Sequence, residues 1–350
     1  MKTRLLNKAC IFLLITMAAI SCMEKVVYVE NDYLIQKDSV NVTPLVSLPK
    51  YDRFNFMALY KEGVFFLFAK MIGDCYAVNS NGEILWEINL SETSGDPSGI
   101  FQIRNATDFF GFHGDDLFFY QADNTLKLFD LDGNLLSEHK IPISKDESVV
   151  DVVSYSEHGL VIGTVDRALN DSRMSSVHTY NLKSKELELV FSKEMDFPLE
   201  IKIGAHAGKI YYVENLSTHL SILNLESKSI DSLPLNQSKN RSFQYFLPYN
   251  GDTEAFFSIP QAERVNYQND GYKSLVVTGD DILFHHRVLK RNDKGLNFIE
   301  LITLQRENGE MTEMLLPYTI LNLDNHGNTL RLVKYDSEIY LKIAALDNSE

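Results

Sequence analysis

The chain has 350 residues, 45% of them hydrophobic, with 33 basic against 48 acidic side chains and a net charge of −15. That length and apolar content can bury a substantial core. So acidic a surface repels nucleic acid and anionic lipid, which excludes nucleic-acid binding as a function class.

The first residues are read apart from the fold. Lys2, Arg4 and Lys8 make a basic start, and Ala9 to Ile20 is an apolar run too short to span a bilayer as a stable helix. Residues 1–21 are therefore expected to be a secretory signal. The run ends in Ala19-Ile20-Ser21-Cys22, which resembles the lipobox of bacterial lipoproteins, with Ala19 where leucine is usual. The resemblance implies a diacylglyceryl group on the Cys22 thiol. Each buried lipid CH₂ contributes about 0.8 kcal/mol, so several acyl chains would hold the protein firmly to a membrane. Removing residues 1–21 leaves 30 basic against 48 acidic side chains and moves the net charge from −15 to −18. Cys10 departs with the signal and Cys22 is acylated, so Cys75 is left alone, with no disulfide framework and no cysteine-based metal site. Residues 22–42 are polar, lack a helical apolar stripe, and read as a tether.

Residues 43–350 read as a repeated β-unit. Arg53 to Leu90 gives RFNFMALYKEG, VFFLFAK, DCYAVNSNG and EILWEINL. Related quartets follow in 100–142, 149–193 and 199–235. Each holds four short apolar or alternating runs separated by turn residues, the content of one propeller blade. Gly63, Gly159 and Gly208 stand where the chain leaves the inner strand, a place that often requires φ > 0. Asn81-Gly82 and Asp132-Gly133 mark the second hairpin turn of two units, whereas Ser184-Lys185 and Ser227-Lys228 imply a different or longer turn in two others. After Leu235 the period blurs. Phe243 to Leu247 and Glu254 to Ile259 read as strands, a further quartet begins at Tyr272, and the last unit, from Ile320, stops one strand short. The run TPLVSLP, Thr43 to Pro49, resembles the outer strands and is expected to complete that unit. The fold expected is an all-β propeller with its last blade closed by an N-terminal strand. Six blades are favoured, or seven if Phe243 to Gly271 is itself a blade.

Two stretches carry a family resemblance. DCYAVNSNGEILWEI (Asp74 to Ile88) looks like one repeat of quinoprotein-type propellers, and NTLKLFDLDGNLLSEHKIP (Asn124 to Pro142) looks like the repeats of six-bladed, NHL-like propeller lipoproteins of bacteria. The quinoprotein enzymes repeat a tryptophan motif in most blades. Trp86 is the only tryptophan here, so no quinone cofactor is carried over and none of another kind is expected.

Chemistry-bearing residues fall mostly on turns. His113, His158 and His206 lie beside the Gly turn after an inner strand, and His326-Gly327 recurs in the last unit. One reading is a ring of imidazoles at one rim of the axial opening, able to bind a metal or a ligand. The other is that histidine suits a turn and bonds a nearby carbonyl. Asp115-Asp116 and Asp280-Asp281 precede second strands and read as turn formers. His285-His286 are adjacent on a strand, so their rings point to opposite faces and cannot share a metal. Asp130-Leu131-Asp132-Gly133 lacks the later ligands of a calcium loop. No Gly-x-Ser-x-Gly, His-Glu-x-x-His or phosphate-loop motif occurs, and no metal site or catalytic residue is assigned. Cys75, within an expected strand, reads as a small buried hydrophobe.

The function expected is a lipid-anchored binding or scaffolding module of the cell envelope, at the outer membrane, with a protein, peptide or glycan partner. The alternative is a hydrolase or lyase with its site in the central channel.

Overall fold

The computed structural model describes residues 56–69, 73–90, 92–93, 103–104, 107–157, 159–167, 172–196, 201–214, 217–235, 272–292, 295–306, 310–316, 322–323, 329–335 and 338–344. Blade 1 consists of β1 (Phe56–Lys61), β2 (Val64–Ala69), β3 (Asp74–Asn79) and β4 (Ile84–Asn89). A short ribbon, β5 (Glu92–Thr93) with β6 (Ile103–Arg104), follows. Blade 2 is β7 (Thr107–His113), β8 (Asp116–Gln121), β9 (Thr125–Phe129) and β10 (Leu135–Lys140). Blade 3 is β11 (Glu147–Ser156), β12 (Gly159–Asp166), β13 (Ser172–Asn181) and β14 (Leu187–Asp196). Blade 4 is β15 (Ile201–His206), β16 (Lys209–Glu214), β17 (His219–Asn224) and β18 (Ile230–Pro234). Blade 5 is β19 (Tyr272–Thr278), β20 (Asp281–Asn292), β21 (Gly295–Arg306) and β22 (Met311–Leu316). A last sheet holds only β23 (Asn322–Leu323), β24 (Thr329–Tyr335) and β25 (Glu338–Ala344). Every pairing is an antiparallel meander between consecutive strands. The innermost strands stand side by side: β7 by β11, β11 by β15, β15 by β19, β19 by β23 and β23 by β1.

This arrangement is the expected propeller with a corrected count. Among the described residues there are five complete blades, in place of six or seven, because the final sheet has three strands and the 236–271 stretch supplies no described strand. The signal at 1–21, Cys22, the 22–42 tether, the Thr43 to Pro49 run, the strands expected at Phe243 to Leu247 and Glu254 to Ile259, His158 and His326 lie outside the described residues.

Why these sequences make blades follows from the second strand of each. VFFLFA, DLFFYQ, GLVIGTVD and KIYYVE are almost wholly buried, so both pleat faces are covered. Alternate residues then enter different seams. Phe119 and Leu117 join Phe66, Phe68 and Leu59 between blades 1 and 2, whereas Phe118 and Tyr120 join Leu160, Ile162 and Tyr180 between blades 2 and 3. Val161 and Val165 meet Ile203, Ile210 and Tyr212, and Tyr211 and Val213 meet Leu275, Ile282 and Phe284. The core is thus a series of layers between sheets, with no single centre. Cys75 lies in the first layer, where burial pushes its thiol pKa far up, as expected of an inert hydrophobe.

Glycines serve these seams in two ways. Gly204 lies where β15 meets β19: a Cβ there would stand 3.2 Å from Leu275 Cγ and Val277 Cγ2. Gly159 does not have the positive φ expected of it. A Cβ there would stand 2.1 Å from the Tyr155 ring, so its role is to leave room for that ring.

Phe119 is the test of the layered core. It is fully buried, its ring stacks on Phe110 at 4.8 Å, and it meets Phe129 edge-on at 5.5 Å. Phe119→Ala should lower unfolding free energy by about 3–5 kcal/mol, read in a denaturant titration, whereas Phe119→Leu should cost much less.

Candidate functional site

In an antiparallel meander the first-to-second and third-to-fourth turns of a blade emerge at the same end. Most of the sequence-predicted candidates sit on those turns. Register makes Lys61, His113 and His206 equivalent, each the last paired residue of an inner strand, opposite Val64, Asp116 and Lys209. In blade 3 the same place is held by Ser156, opposite Gly159. His113 and His206 therefore share an end but stand on blades 2 and 4, with blade 3 between them.

Lys61, His113, Asp115 and Asp281 are each engaged with a neighbour. Lys61 Nζ donates to the Gly114 carbonyl at 2.9 Å, pairs with Asp115 Oδ1 at 2.6 Å, and lies 5.5 Å from the Phe112 ring centre. That ammonium holds the Asp115 carboxyl below its usual range. His113 is buried and reaches blade 3, with Nε2 2.9 Å from the Glu157 carbonyl and Nδ1 3.0 Å from Ser154 Oγ. A carbonyl only accepts, so Nε2 carries the proton, and in the neutral ring Nδ1 accepts from the serine. Asp281 pairs with Arg306 at 3.2 Å.

The third-to-fourth turns share a device. In blades 1 to 4 the residue that ends the third strand or directly follows it, Asn79, Asp130, Asn181 or Asn224, turns its side-chain oxygen onto backbone N–H groups just beyond it. Asp130 thus caps its own turn, and the bonds it accepts, first from the Asn134 side chain and then from backbone N–H groups, lower its pKa. The closing bond runs from Asn79 to Glu83 and Asp130 to Asn134, but from Asn181 to Glu186 and Asn224 to Ser229. The later turns are one residue longer, as their lack of Asn-Gly or Asp-Gly implied. Lys185 and Lys228 take the positive φ that Gly82 and Gly133 take in the shorter ones. Gly133 has a second constraint. A Cβ there would stand 3.0 Å from the indole of Trp86, whose Nε1 donates to the Leu131 carbonyl at 2.8 Å.

Further polar groups, not singled out by the sequence, pin the other seams. Gln121 Nε2 donates to the Leu90 carbonyl at 3.0 Å and Gln305 Nε2 to the Pro234 carbonyl at 2.7 Å. Between blades 3 and 4, Ser175 Oγ, Tyr212 Oη, Glu214 and Lys193 form a chain of contacts of 2.7, 3.0 and 2.8 Å. Asp151, on inner strand β11, accepts the Ile203 N–H at 2.9 Å. A lone carboxylate in the apolar run VVDVV was the available signal for it.

Two histidine–carboxylate pairs also escaped sequence reading, because their partners are set by register. His285 Nε2 lies 2.7 Å from Glu300 Oε2, both buried, while His286 turns to the opposite face and packs 4.5 Å from Tyr272. Thr164 Oγ1 donates to Glu147 at 2.7 Å and lies 3.2 Å from His178 Nε2. The hydroxyl stands between acid and imidazole and is fully buried, an order that holds a sheet face together and does not activate a nucleophile. Among the described residues no group of three or more His, Cys, Asp or Glu side chains is placed to hold a metal ion.

The outer strands carry the remaining feature. A β-bulge falls at Leu85 in β4 and at Leu136 in β10, so that Ile84-Leu85 and Leu135-Leu136 are exposed as pairs. Leu85 and Leu136 are 53% and 52% exposed.

Asp151 gives a pH test with a defined sign. Burial raises its pKa, with Lys202 pulling the other way. The folded state therefore keeps this proton to higher pH than the unfolded chain does, so the group opposes folding above its raised pKa and stops doing so as pH falls towards about 3.9. Asp151→Asn keeps an acceptor for Ile203 without the charge and should match or exceed the wild-type melting temperature at pH 7, the difference shrinking on acidification. Asp151→Ala should cost about 1–3 kcal/mol by stranding the Ile203 N–H.

No protein-family model matches the chain, and no curated protein does. Solved structures do. An exported protein from Bacteroides fragilis aligns with a TM-score of 0.54 at 9% identity, over 91% of this chain and 97% of that one. BamB from Moraxella catarrhalis gives 0.38 at 8%, over 86% and 85%, and the WD40 β-propeller domain of Doa1 gives 0.43 at 12%, over 83% and 78%. At such identities a likeness speaks for fold alone, and of these three the first carries it. Sheet order and this likeness together establish an all-β propeller whose fold is shared with an exported protein.

Proposed function

We propose that the protein is an extracytoplasmic, lipid-anchored propeller that serves as a binding or scaffolding module for a protein, peptide or glycan. The observation that carries this reading is the engagement of its ionisable turn residues. Lys61, Asp115 and His113 are bonded from blade to blade, which stiffens the scaffold. A rigid frame with exposed loops and edges suits recognition. The secretory signal, the cysteine at its end and the fold shared with an exported protein support a place at the cell envelope, on the outer membrane. Cys22 would carry the lipid, residues 22–42 would be the tether, and Thr43 to Pro49 would pair with the sheet of β23 to β25. His113, His158, His206 and His326 would stand at the ligand-facing end.

Two measurements test the reading. Capture of a tagged protein from native membranes should recover a stoichiometric partner; recovery of none, together with turnover on a substrate panel, would overturn it. Mass spectrometry should find Cys22 diacylated and Cys22→Ser should move the protein to the soluble fraction; an unmodified cysteine, or a serine variant still in membranes, would remove the anchor.

A further inference from the structure

Five histidines are buried among the described residues, and three of them, His113, His139 and His178, line the seam between blades 2 and 3. His113 reaches from the innermost strand of blade 2 to the Glu157 carbonyl. His139 stands on the outermost strand, opposite Leu126, and meets Tyr180 of β13 edge-on with ring centres 6.0 Å apart. Its Nδ1 lies 3.4 Å from Tyr180 Oη and its Nε2 3.0 Å from Ser137 Oγ. His178 comes two residues before Tyr180, opposite Ile162 of the same layer.

The surroundings of His139 and His178 receive a proton differently. His178 has the Glu147 carboxylate 3.4 Å away. Around His139, β13 presents Tyr180 and His178, β9 presents Leu126, and β8 presents Tyr120, whose hydroxyl is given to Asn124. Glu138 and Lys140 of its own strand are taken by Lys127 and Asp123, and Glu186 of the β13–β14 turn accepts the Ser184 hydroxyl. The charged group that acts on the ring is Lys185 of that turn, and burial first, then this ammonium, lowers the His139 pKa. Both hydroxyl partners of His139 can accept as well as donate, so the charge, and not a lost bond, is what the closed seam opposes.

We infer that the seam between blades 2 and 3 is a proton-sensitive hinge: in mildly acidic surroundings His139 takes up a proton and the outer margin of the seam, where its ring meets Tyr180, loosens. The sign follows from linkage. With the seam open the imidazole titrates near its ordinary value of about 6.5, and with the seam closed it titrates lower. The closed seam therefore has the full contribution of His139 above about 6.5 and loses it as pH falls through that value towards the depressed one. The inference stands beside the binding-module reading and does not depend on it.

The test is thiol labelling of the purified full-length chain at pH 7.5 and 5.5 with a dipyridyl disulfide, mapped by peptide mass spectrometry. Ile141 is buried in this layer, and Cys75 is buried in the layer between blades 1 and 2, so Ile141→Cys reports the hinge and Cys75 is the internal control. Between the two pH values labelling of Ile141→Cys should speed up severalfold, to a ceiling of about tenfold set by an open-state pKa of about 6.5, with Cys75 unchanged. Adding His139→Gln, whose amide still reaches both hydroxyls, should remove the acceleration, and adding His178→Gln should leave it. Lys185→Asn removes the nearby charge at a position of positive φ that asparagine tolerates, and should reduce the acceleration without touching the seam itself. Labelling of Ile141→Cys that changes less than about twofold, an acceleration that survives His139→Gln or vanishes with His178→Gln, one that Lys185→Asn leaves at full size, or an equal acceleration at Cys75 would each overturn the inference.

Discussion

A strand that is apolar on both faces cannot be satisfied by its own sheet. The second strands of these blades are of that kind, and the rest of the molecule follows from them. Phe119 needs blade 1 and Phe118 needs blade 3, although they are neighbours in sequence. Each sheet must therefore be sandwiched, and a linear stack would leave two terminal faces bare. A ring has no terminal face, which is why β23 stands between β19 and β1. The hydrophobic effect here specifies adjacency, and, being non-directional, says little about angle.

Angle is the province of the polar groups. Each seam between consecutive complete blades has at least one side-chain-to-backbone bond: Trp86 and Gln121 at the first, His113 at the second, Asp151 at the third, Gln305 at the fourth. Such bonds contribute only about 0.5–1.5 kcal/mol net apiece, yet a misaligned blade would leave their buried groups unpaired at a larger cost. Apolar layers thus supply most of the stability, and the pins choose among the ways two greasy faces could slide. Ionisable residues placed in this role are held by folding, which limits what chemistry they can perform.

Much of this was written in local pattern. The continuous apolar runs at Val64, Asp116 and Lys209, punctuated by turn residues, disclose two-faced strands, and the five quartets read from sequence became blades 1 to 5 with boundaries close to those expected. The Asx residue at the end of the third strand in blades 1 to 4 was equally visible and went unread. The blade count was not recoverable, since whether a unit has four strands depends on pairing across long sequence separations. The same limit hid His285 with Glu300 and Thr164 with Glu147, whose partners are chosen by register. His113 was legible as a turn residue, but its partner, a carbonyl on the next blade, was not. The bulges at Leu85 and Leu136 were invisible for a related reason: an alternating pattern shows which residues can face out, and only pairing shows where two in succession must.

The position of Trp86 has a consequence for any spectroscopy of this protein. It is the only tryptophan in the chain, and its indole lies on the Asp130–Asn134 turn of the adjoining blade. Intrinsic emission is then a local gauge of a single interface, blind to the other seams. In a structure built of nearest-neighbour layers, that gauge and the far-ultraviolet dichroism of all the strands need agree only when the ring opens as one unit. Their divergence would measure directly how far one blade knows what the others are doing.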